Sequence, residues 1–130
     1  MNCYCCSGNA FKACCQPFIE RLAKPQTAEA LMRSRYAAYA TVAIDYILET
    51  THRTTRNLYD PKSIAQWATS SIWLKLEVLS TQAGGINDSR GKVEFKAYYQ
   101  DSGRQFQVHH EHSNFVKENG EWFFVDGLVK

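Results

Sequence analysis

The stretches WLKLEVL (residues 73–79) and KVEFKAYY (residues 92–99) show the alternation that decides the fold class. In both stretches, apolar side chains recur at every second position. The first series consists of Leu74, Leu76 and Val78, and the second of Val93, Phe95, Ala97 and Tyr99. Successive side chains of a β-strand point to opposite faces of a sheet, so this period predicts two strands that each bury one face.

Two further strands are predicted towards the C-terminus. Residues 101–103 form a turn, and Asn119 followed by Gly120 is a strong hairpin signal before EWFFVDG. Between these turns, RQFQVHHEHSNFV changes phase, because Phe106 and Phe115 would lie on opposite faces. We therefore expect a bulge near residues 109–111 and, in all, a curved sheet of four antiparallel strands.

Three helices are predicted ahead of the sheet. Thr27 is a suitable N-cap for a helix that runs from Ala28 to about Thr41. A second helical segment covers residues 44–51, and Asp60 with Pro61 begins a third, because Asp caps a helix and Pro fits its first position. Helices packed against one face of such a sheet give an α+β cone with an interior pocket.

The composition excludes several classes of protein. The 130 residues fit one domain, and 45% apolar against 22% charged residues predicts a folded core rather than disorder. A net charge of +2, with no run of Lys and Arg, argues against a nucleic-acid partner. No apolar stretch is long enough to span a membrane or to act as a signal peptide, so we expect a cytoplasmic protein with reduced thiols.

All five cysteines lie between residues 3 and 15, in the pattern C-x-C-x8-C-C if Cys6 is left out. Two close pairs joined by a short loop can place four thiolates around one ion, and zinc favours tetrahedral sulfur ligation. The pattern predicts Zn²⁺ bound by Cys3, Cys5, Cys14 and Cys15, with Cys6 as a spare thiol. A reactive or disulfide-forming cluster, or an accidental tail, would not explain the two close pairs.

Four thiolates around Zn²⁺ carry a formal charge of −2, which nearby cations would offset. Three basic residues in or just beyond the loop are the candidates: Lys12, Arg21 and Lys24.

The cysteine stretch resembles the SEC-C motif, a small zinc-binding module at the C-terminal end of the protein translocase ATPase SecA. The matching residues are Cys3, Cys5, Ser7, Gly8, Cys14 and Cys15. Tyr4 replaces the usual proline of that motif, and Cys6 replaces its first glycine. The resemblance implies a zinc-binding motif over residues 1–22.

The rest of the chain resembles the bacterial YchJ family, in which a SEC-C motif is joined to a nuclear-transport-factor-like domain. The matching segments, in order, are LMRSRYAAY, DYIL followed by TH, WLKLEV, VEFKAYY and EHSNFVKENGEWFFVDG. The resemblance implies an α+β protein: an N-terminal zinc knuckle, then a nuclear-transport-factor-like cone of three helices on a curved antiparallel sheet over residues 23–130. It implies an architecture rather than an activity.

One charged side chain falls inside the apolar stripe of the first predicted helix. Burying an unpaired guanidinium is costly, so we expect Arg35 to contact a carboxylate of the sheet, Glu111 rather than Asp126. The residues that would line the pocket are Arg35, Asp45, Tyr46, His52, Glu111 and Asp126. Alternatively, Arg35 and Glu111 form a structural pair and His52 merely ends a helix. The remaining histidines, His109, His110 and His112, are interpreted as an exposed polar strand face rather than a second metal site.

Two functions follow from these features. The first is a non-enzymatic one, in which the zinc motif binds a protein partner, as the resemblance to SecA implies. The second is a small-molecule isomerase or dehydratase that uses a pocket carboxylate, which requires a cavity of about 300 Å³ or more beside Glu111, with His52 or Tyr46 in hydrogen-bond reach. We expect side chains to leave only a small or narrow cavity, and the sheet to be able to pair into a homodimer.

Overall fold

The structure is a computed structural model that describes residues 1–130. Four α-helices precede the sheet: α1 (Gln16–Ile19), α2 (Ala28–Ala40), α3 (Ile44–Glu49) and α4 (Pro61–Ser70). Two short 3₁₀ turns lie at Phe11–Ala13 and Arg56–Leu58. The three predicted helices correspond to α2, α3 and α4, and the single turn α1 was not predicted.

The predicted caps hold the starts of the two longest helices. The Thr27 hydroxyl accepts a hydrogen bond from the Ala30 amide at 3.0 Å, at the start of α2. The Asp60 carboxylate accepts one from the Lys62 amide at 3.2 Å, and Pro61 occupies the first position of α4. These caps satisfy backbone donors that a helix cannot satisfy itself.

Four antiparallel strands follow in the spatial order β1-β2-β3-β4, which confirms the predicted sheet. Their bounds are β1 (Ile72–Ala83), β2 (Arg90–Gln100), β3 (Phe106–Glu118) and β4 (Glu121–Val129). The hairpin between β3 and β4 turns at Asn119 and Gly120, whose φ angles are 54° and 80°. Asn and Gly tolerate this left-handed region, which explains why the dipeptide is such a strong turn signal.

The predicted bulge at residues 109–111 was wrong, because β3 pairs with β2 without any break in register. The change of phase needs no bulge, since Phe106 lies on the outer face of the sheet and is 77% exposed. The irregularity instead lies further along β3, between Asn114 and Phe115, where β4 carries one extra residue, Val125.

A second correction concerns β1, whose register against β2 shifts between Trp73 and Lys75. The shift turns Leu74 outward, so that it is 46% exposed, whereas Leu76 is buried. The prediction that Leu74 shares the buried face was therefore wrong. Trp73 takes its place against the core.

The main core is continuous from the cysteine stretch to the sheet. Cys3, Cys5 and Cys15 belong to one cluster of buried side chains with Leu31 of α2 and Phe115 of β3. A smaller cluster of Ala38, Tyr46, Ile47 and Ile64 joins α2, α3 and α4. None of the helices has the length and apolar character that crossing a membrane requires.

Candidate metal centre and cone cavity

The sulfur atoms of Cys3, Cys5, Cys14 and Cys15 lie within 4.8 Å of one another. The Cys5 and Cys14 sulfurs are 3.6 Å apart, and those of Cys14 and Cys15 are 3.9 Å apart. Tetrahedral ligation at a Zn–S distance of about 2.3 Å requires sulfurs roughly 3.8 Å apart. The four thiols together therefore have the spacing and the chemistry of a four-cysteine zinc site.

Local backbone structure brings the two cysteine pairs together. Asn2 bridges Ala10 across the loop, and the Cys3 amide donates to the Asn9 carbonyl at 2.7 Å. The 3₁₀ turn Phe11–Ala13 then places Cys14 and Cys15 just ahead of α1. The Ser7 hydroxyl lies 3.2 Å from the Cys14 sulfur, so it adds a polar contact outside the ligand set.

The thiols of the cluster do not ionise independently. A hydrogen bond from the Cys15 thiol lowers the pKa of Cys5 to about 4, and the same contact raises the pKa of Cys15. Burial raises the pKa of Cys3. Three of the four thiols are buried, so ionising all four side by side requires a cation between them, a condition that a bound metal ion meets.

Arg33 of α2 contacts the cysteine loop directly, and it is not one of the three predicted basic residues. Its Nη1 donates to the Cys5 carbonyl at 2.7 Å, and its Nε pairs with Glu29 at 2.9 Å. Arg21 pairs with Glu49, Lys24 pairs with Glu121 at 3.0 Å, and Lys12 is exposed. The prediction missed Arg33 because it considered only neighbours in sequence, whereas α2 folds back onto the loop.

Cys6 stands apart from the four other cysteines. It is exposed, and its φ of 66° is the left-handed conformation that the glycine of the SEC-C motif would adopt without strain. Its sulfur accepts a hydrogen bond from the Leu76 amide of β1 at 3.4 Å. The spare thiol thus ties the loop to the sheet.

A cavity of about 480 Å³ opens inside the cone, between the helices and the inner face of the sheet. Most of its wall is apolar or aromatic: Met32, Tyr36, Tyr39, Leu58, Tyr59, Ile64, Trp67, Trp73, Phe95, Ala97, Phe115 and Phe124. The prediction of a small or narrow cavity was wrong. The large rings contact one another along the wall and leave the middle of the cavity open. Trp67 and Trp73, for example, meet edge to face with centroids 5.2 Å apart.

Three polar side chains of β3 face this cavity because they alternate along the strand: His109, Glu111 and Ser113. Glu111 Oε1 lies 2.7 Å from His109 Nε2, and Oε2 accepts from the Ser113 hydroxyl at 2.6 Å. Burial alone would raise the pKa of Glu111, but these two hydrogen bonds, together with the nearby positive charge of Arg35, outweigh it and the pKa lies below its ordinary value. Glu111 is therefore held as a carboxylate.

Arg35 also lines the cavity, but its predicted carboxylate partner was wrong. Its Nη1 donates to the Ile47 carbonyl at 2.8 Å, to Thr50 Oγ1 at 2.7 Å and to Thr51 Oγ1 at 3.3 Å. The guanidinium carbon of Arg35 lies over the Phe124 ring, 4.5 Å from the ring centroid. The carbonyl and hydroxyls at the end of α3 satisfy part of the group, and burial lowers the pKa of Arg35.

The other four candidates lie away from the cavity. The Tyr46 hydroxyl bonds Ser34 at 2.7 Å between the helices, and Asp45 lies on an exposed turn of α3. His52 is buried against β4, with Nε2 3.1 Å from Glu118. Asp126 is exposed and accepts from the Asn114 amide at 2.7 Å. Of the predicted pocket residues, the structure brings together Arg35 and Glu111.

Sequence reasoning missed His109 and Ser113 as cavity residues. Both stand two positions from Glu111, so the strand period already placed them on its face. The assumed bulge at residues 109–111 hid this signal, because it made the phase of the strand ambiguous. His110 in fact faces outward and pairs with Glu94 at 2.7 Å.

Comparison with known proteins identifies the family. The family described as "YchJ, middle NTF2-like domain" matches residues 27–127. A UPF0225 protein of Geobacter sulfurreducens is 45% identical over 96% of this chain and 77% of its own. A UPF0225 protein of Haemophilus influenzae is 42% identical over 98% of this chain and 78% of its own.

Two solved structures are similar along the whole fold. The solution structure of a SEC-C motif containing protein from Rhodopseudomonas palustris is 44% identical, with a TM-score of 0.90 over 100% of this chain and 99% of that one. The crystal structure of a SEC-C motif containing protein from Psychrobacter arcticus is 36% identical, with a TM-score of 0.79 over 95% of this chain and 75% of that one. The chain therefore belongs to the YchJ (UPF0225) family, with a SEC-C cysteine motif ahead of an NTF2-like domain.

Proposed function

We propose that the NTF2-like cone binds a small organic molecule. The observation that carries this proposal is the cavity of about 480 Å³, whose apolar wall is interrupted by the hydrogen-bonded row His109–Glu111–Ser113. Small-molecule sites are commonly clefts of about 300 to 1,000 Å³ with an apolar lining and a few placed polar groups. A purely structural core would fill this volume with side chains.

The same row supports an isomerase or dehydratase as the reaction class. Glu111 accepts from His109 Nε2, which favours the tautomer with its proton on that nitrogen. His109 Nδ1 is then the atom that removes a proton from carbon beside a substrate carbonyl. In an isomerase it returns that proton to another carbon, and in a dehydratase it gives the proton to the departing hydroxyl group, which leaves as water. Glu111 stays ionised and stabilises the imidazolium that forms in between. The base is thus His109, and Glu111 is a positioning residue.

A ligand screen tests the proposal. We expect a library of neutral and acidic metabolites to contain at least one compound that raises the melting temperature of the protein. Glu111→Gln and His109→Gln should abolish this stabilisation, or abolish turnover of the bound compound. His110→Gln is the matched control, because His110 lies on the other face of β3. Equal effects of all three variants, or a library without hits, would contradict the proposal.

We also propose that the cysteine motif holds one Zn²⁺, through Cys3, Cys5, Cys14 and Cys15. Four sulfur ligands leave no open position, so the ion would be structural rather than catalytic. Elemental analysis of the reduced protein should find about one zinc per chain, and a Cys14→Ser variant should retain less. Protein without metal would contradict this assignment.

Protein docking through the cysteine motif is a second candidate function, in the cytoplasm. It is supported by the exposed tip of the loop, where Ser7, Gly8 and Asn9 face solvent. Capture of a defined partner should be lost in Cys14→Ser and retained in Glu111→Gln. The outer sheet face, with Ile72 and Phe106 exposed, offers an apolar surface for a homodimer, which sedimentation would detect.

A further inference from the structure

We propose that the ligand of the cavity is an organic acid, whose carboxylate binds the free edge of Arg35 and whose planar apolar body packs at the aromatic end. This inference rests on the proposed function and names its substrate class. Two independent features carry it: the unshared donors of Arg35 and the arrangement of the rings around Trp67.

The guanidinium of Arg35 uses only one of its three nitrogens in the fold. All three of its hydrogen bonds, to Ile47, Thr50 and Thr51, come from Nη1. Nε and Nη2 donate to no protein group, and the side chain forms no salt bridge. A guanidinium carries five N–H donors in a planar fork, and the edge formed by Nε and Nη2 matches the two oxygens of a carboxylate.

The carboxylates that line the cavity already have other partners. Both oxygens of Glu111 are engaged, by His109 and by Ser113. Asp60, at the exposed start of α4, accepts from the Lys62 amide and the Ser63 hydroxyl. Arg35 is therefore the charge in the cavity wall that lacks a direct counter-charge. Its side chain is partly buried, so a carboxylate that enters the cavity can reach its free edge and pair with it.

The rings of Tyr39, Trp67 and Trp73 form the aromatic end of the cavity, and they favour a planar apolar group as the rest of the acid. Tyr39 and Trp67 have ring centroids 5.2 Å apart, and Trp67 and Trp73 also 5.2 Å, in edge-to-face contacts. The indole N–H of Trp73 donates to the Ala68 carbonyl, whereas that of Trp67 donates to no protein group. A planar ring can add a further edge-to-face or offset contact to such a cluster.

A matched pair of probes tests the inference: 2-naphthoate and 2-naphthamide, which share a shape and differ in charge. Binding is followed by tryptophan fluorescence and by the ¹⁵N NMR signals of the arginine Nε and the indole groups. We expect the acid to bind roughly 10-fold to 100-fold more tightly than the amide, the range for a hydrogen bond to a charged group. The Arg35 Nε and Trp67 indole signals should shift with the acid.

Arg35→Met should reduce the preference for the acid to within about threefold, and Arg53→Met, on an exposed arginine, should leave it unchanged. The comparison of acid with amide in the unaltered protein keeps the test valid if Arg35→Met fails to fold. Equal binding of both probes overturns this inference and leaves the proposed function standing. If neither probe binds, the metabolite library decides: hits confined to neutral compounds overturn the inference alone, and no hits at all overturn both.

Discussion

Arg35 and Cys6 show how far single residues could be predicted. The position of Arg35 in an apolar stripe correctly placed it at the pocket, because helical periodicity depends only on the chain itself. Its hydrogen-bond partners, at the end of α3, depend on how two helices cross, which no local pattern contains. The exposure of Cys6 is likewise a property of the folded loop.

Cys6 should be the first thiol modified while the metal is bound. It is exposed, whereas metal-bound thiolates are protected from electrophiles. Mass spectrometry after brief treatment with iodoacetamide should find one adduct, on Cys6. Labelling of Cys5 with Cys6 protected would show that the ligand set is wrong. Removal of zinc before the reaction is the control, and it should spread labelling to all the cysteines.

Glu111 should make stability depend on pH. Its pKa is lowered in the fold, chiefly because hydrogen bonds from His109 and Ser113 outweigh burial, so the unfolded chain binds the proton more tightly. Its contribution is therefore present above the unfolded pKa of about 4.3 and lost as the pH falls through the folded value. Glu111→Gln should cost about 1 to 3 kcal/mol at pH 7, and this cost should shrink as the pH falls below about 4.3.

Urea unfolding at several pH values measures this difference. Glu77→Gln is the control, because Glu77 is an exposed carboxylate on β1. A destabilisation by Glu111→Gln that is constant from pH 3 to pH 7 would contradict an ionised Glu111 as its source.

At the scale of elements, the positions of the helices and hairpins agree closely with those predicted from the sequence. Thr27, Asp60 and the Asn119–Gly120 turn act through backbone geometry within a few residues, so their signals are local. Registers were less predictable, because the shift at Leu74 and the extra residue Val125 arise from pairing with a neighbouring strand. One misplaced bulge was enough to hide His109 from the predicted site.

The Thr27 cap gives a test at this scale. Thr27→Ala removes the acceptor for the Ala30 amide at the start of α2 and should lower the free energy of unfolding by about 1 kcal/mol. Thr27→Ser keeps the hydroxyl and should cost much less. Urea unfolding would measure both variants, and equal losses would mean that the methyl group of Thr27, not its cap, stabilises the helix.

For the whole molecule, the sequence predicted the two parts but not their common core. We retain residues 1–22 and 23–130 as proposed units, since the cysteine loop and the cone have separate sequence signatures. Their shared cluster, which includes Cys3, Cys5, Leu31 and Phe115, could not be read from either signature. The cavity volume was missed for the same reason, because it depends on how every wall packs.

Removal of the metal should therefore destabilise both the cysteine loop and the cone, but to different extents. A strong chelator should disorder the cysteine loop, because structural zinc in such motifs contributes roughly 10 to 16 kcal/mol of apparent binding energy. The cone should stay folded with a lower melting temperature, since it loses the packing of Cys3, Cys5 and Cys15. NMR spectra before and after chelation would show this, and an unchanged melting temperature would contradict the shared core.

Helix α2 forms a wall common to both sites. Arg33 faces the cysteine loop through the Cys5 carbonyl, and Arg35, two residues later, faces the cavity. If a displacement of this helix alters the energy of both sites, occupancy of one site changes the affinity of the other. Thermodynamic reciprocity then applies: the factor by which the ion alters affinity for the organic ligand equals the factor by which that ligand alters affinity for the ion. Such coupling would make the affinity of the cone for a small molecule depend on whether the cysteine motif holds a metal ion.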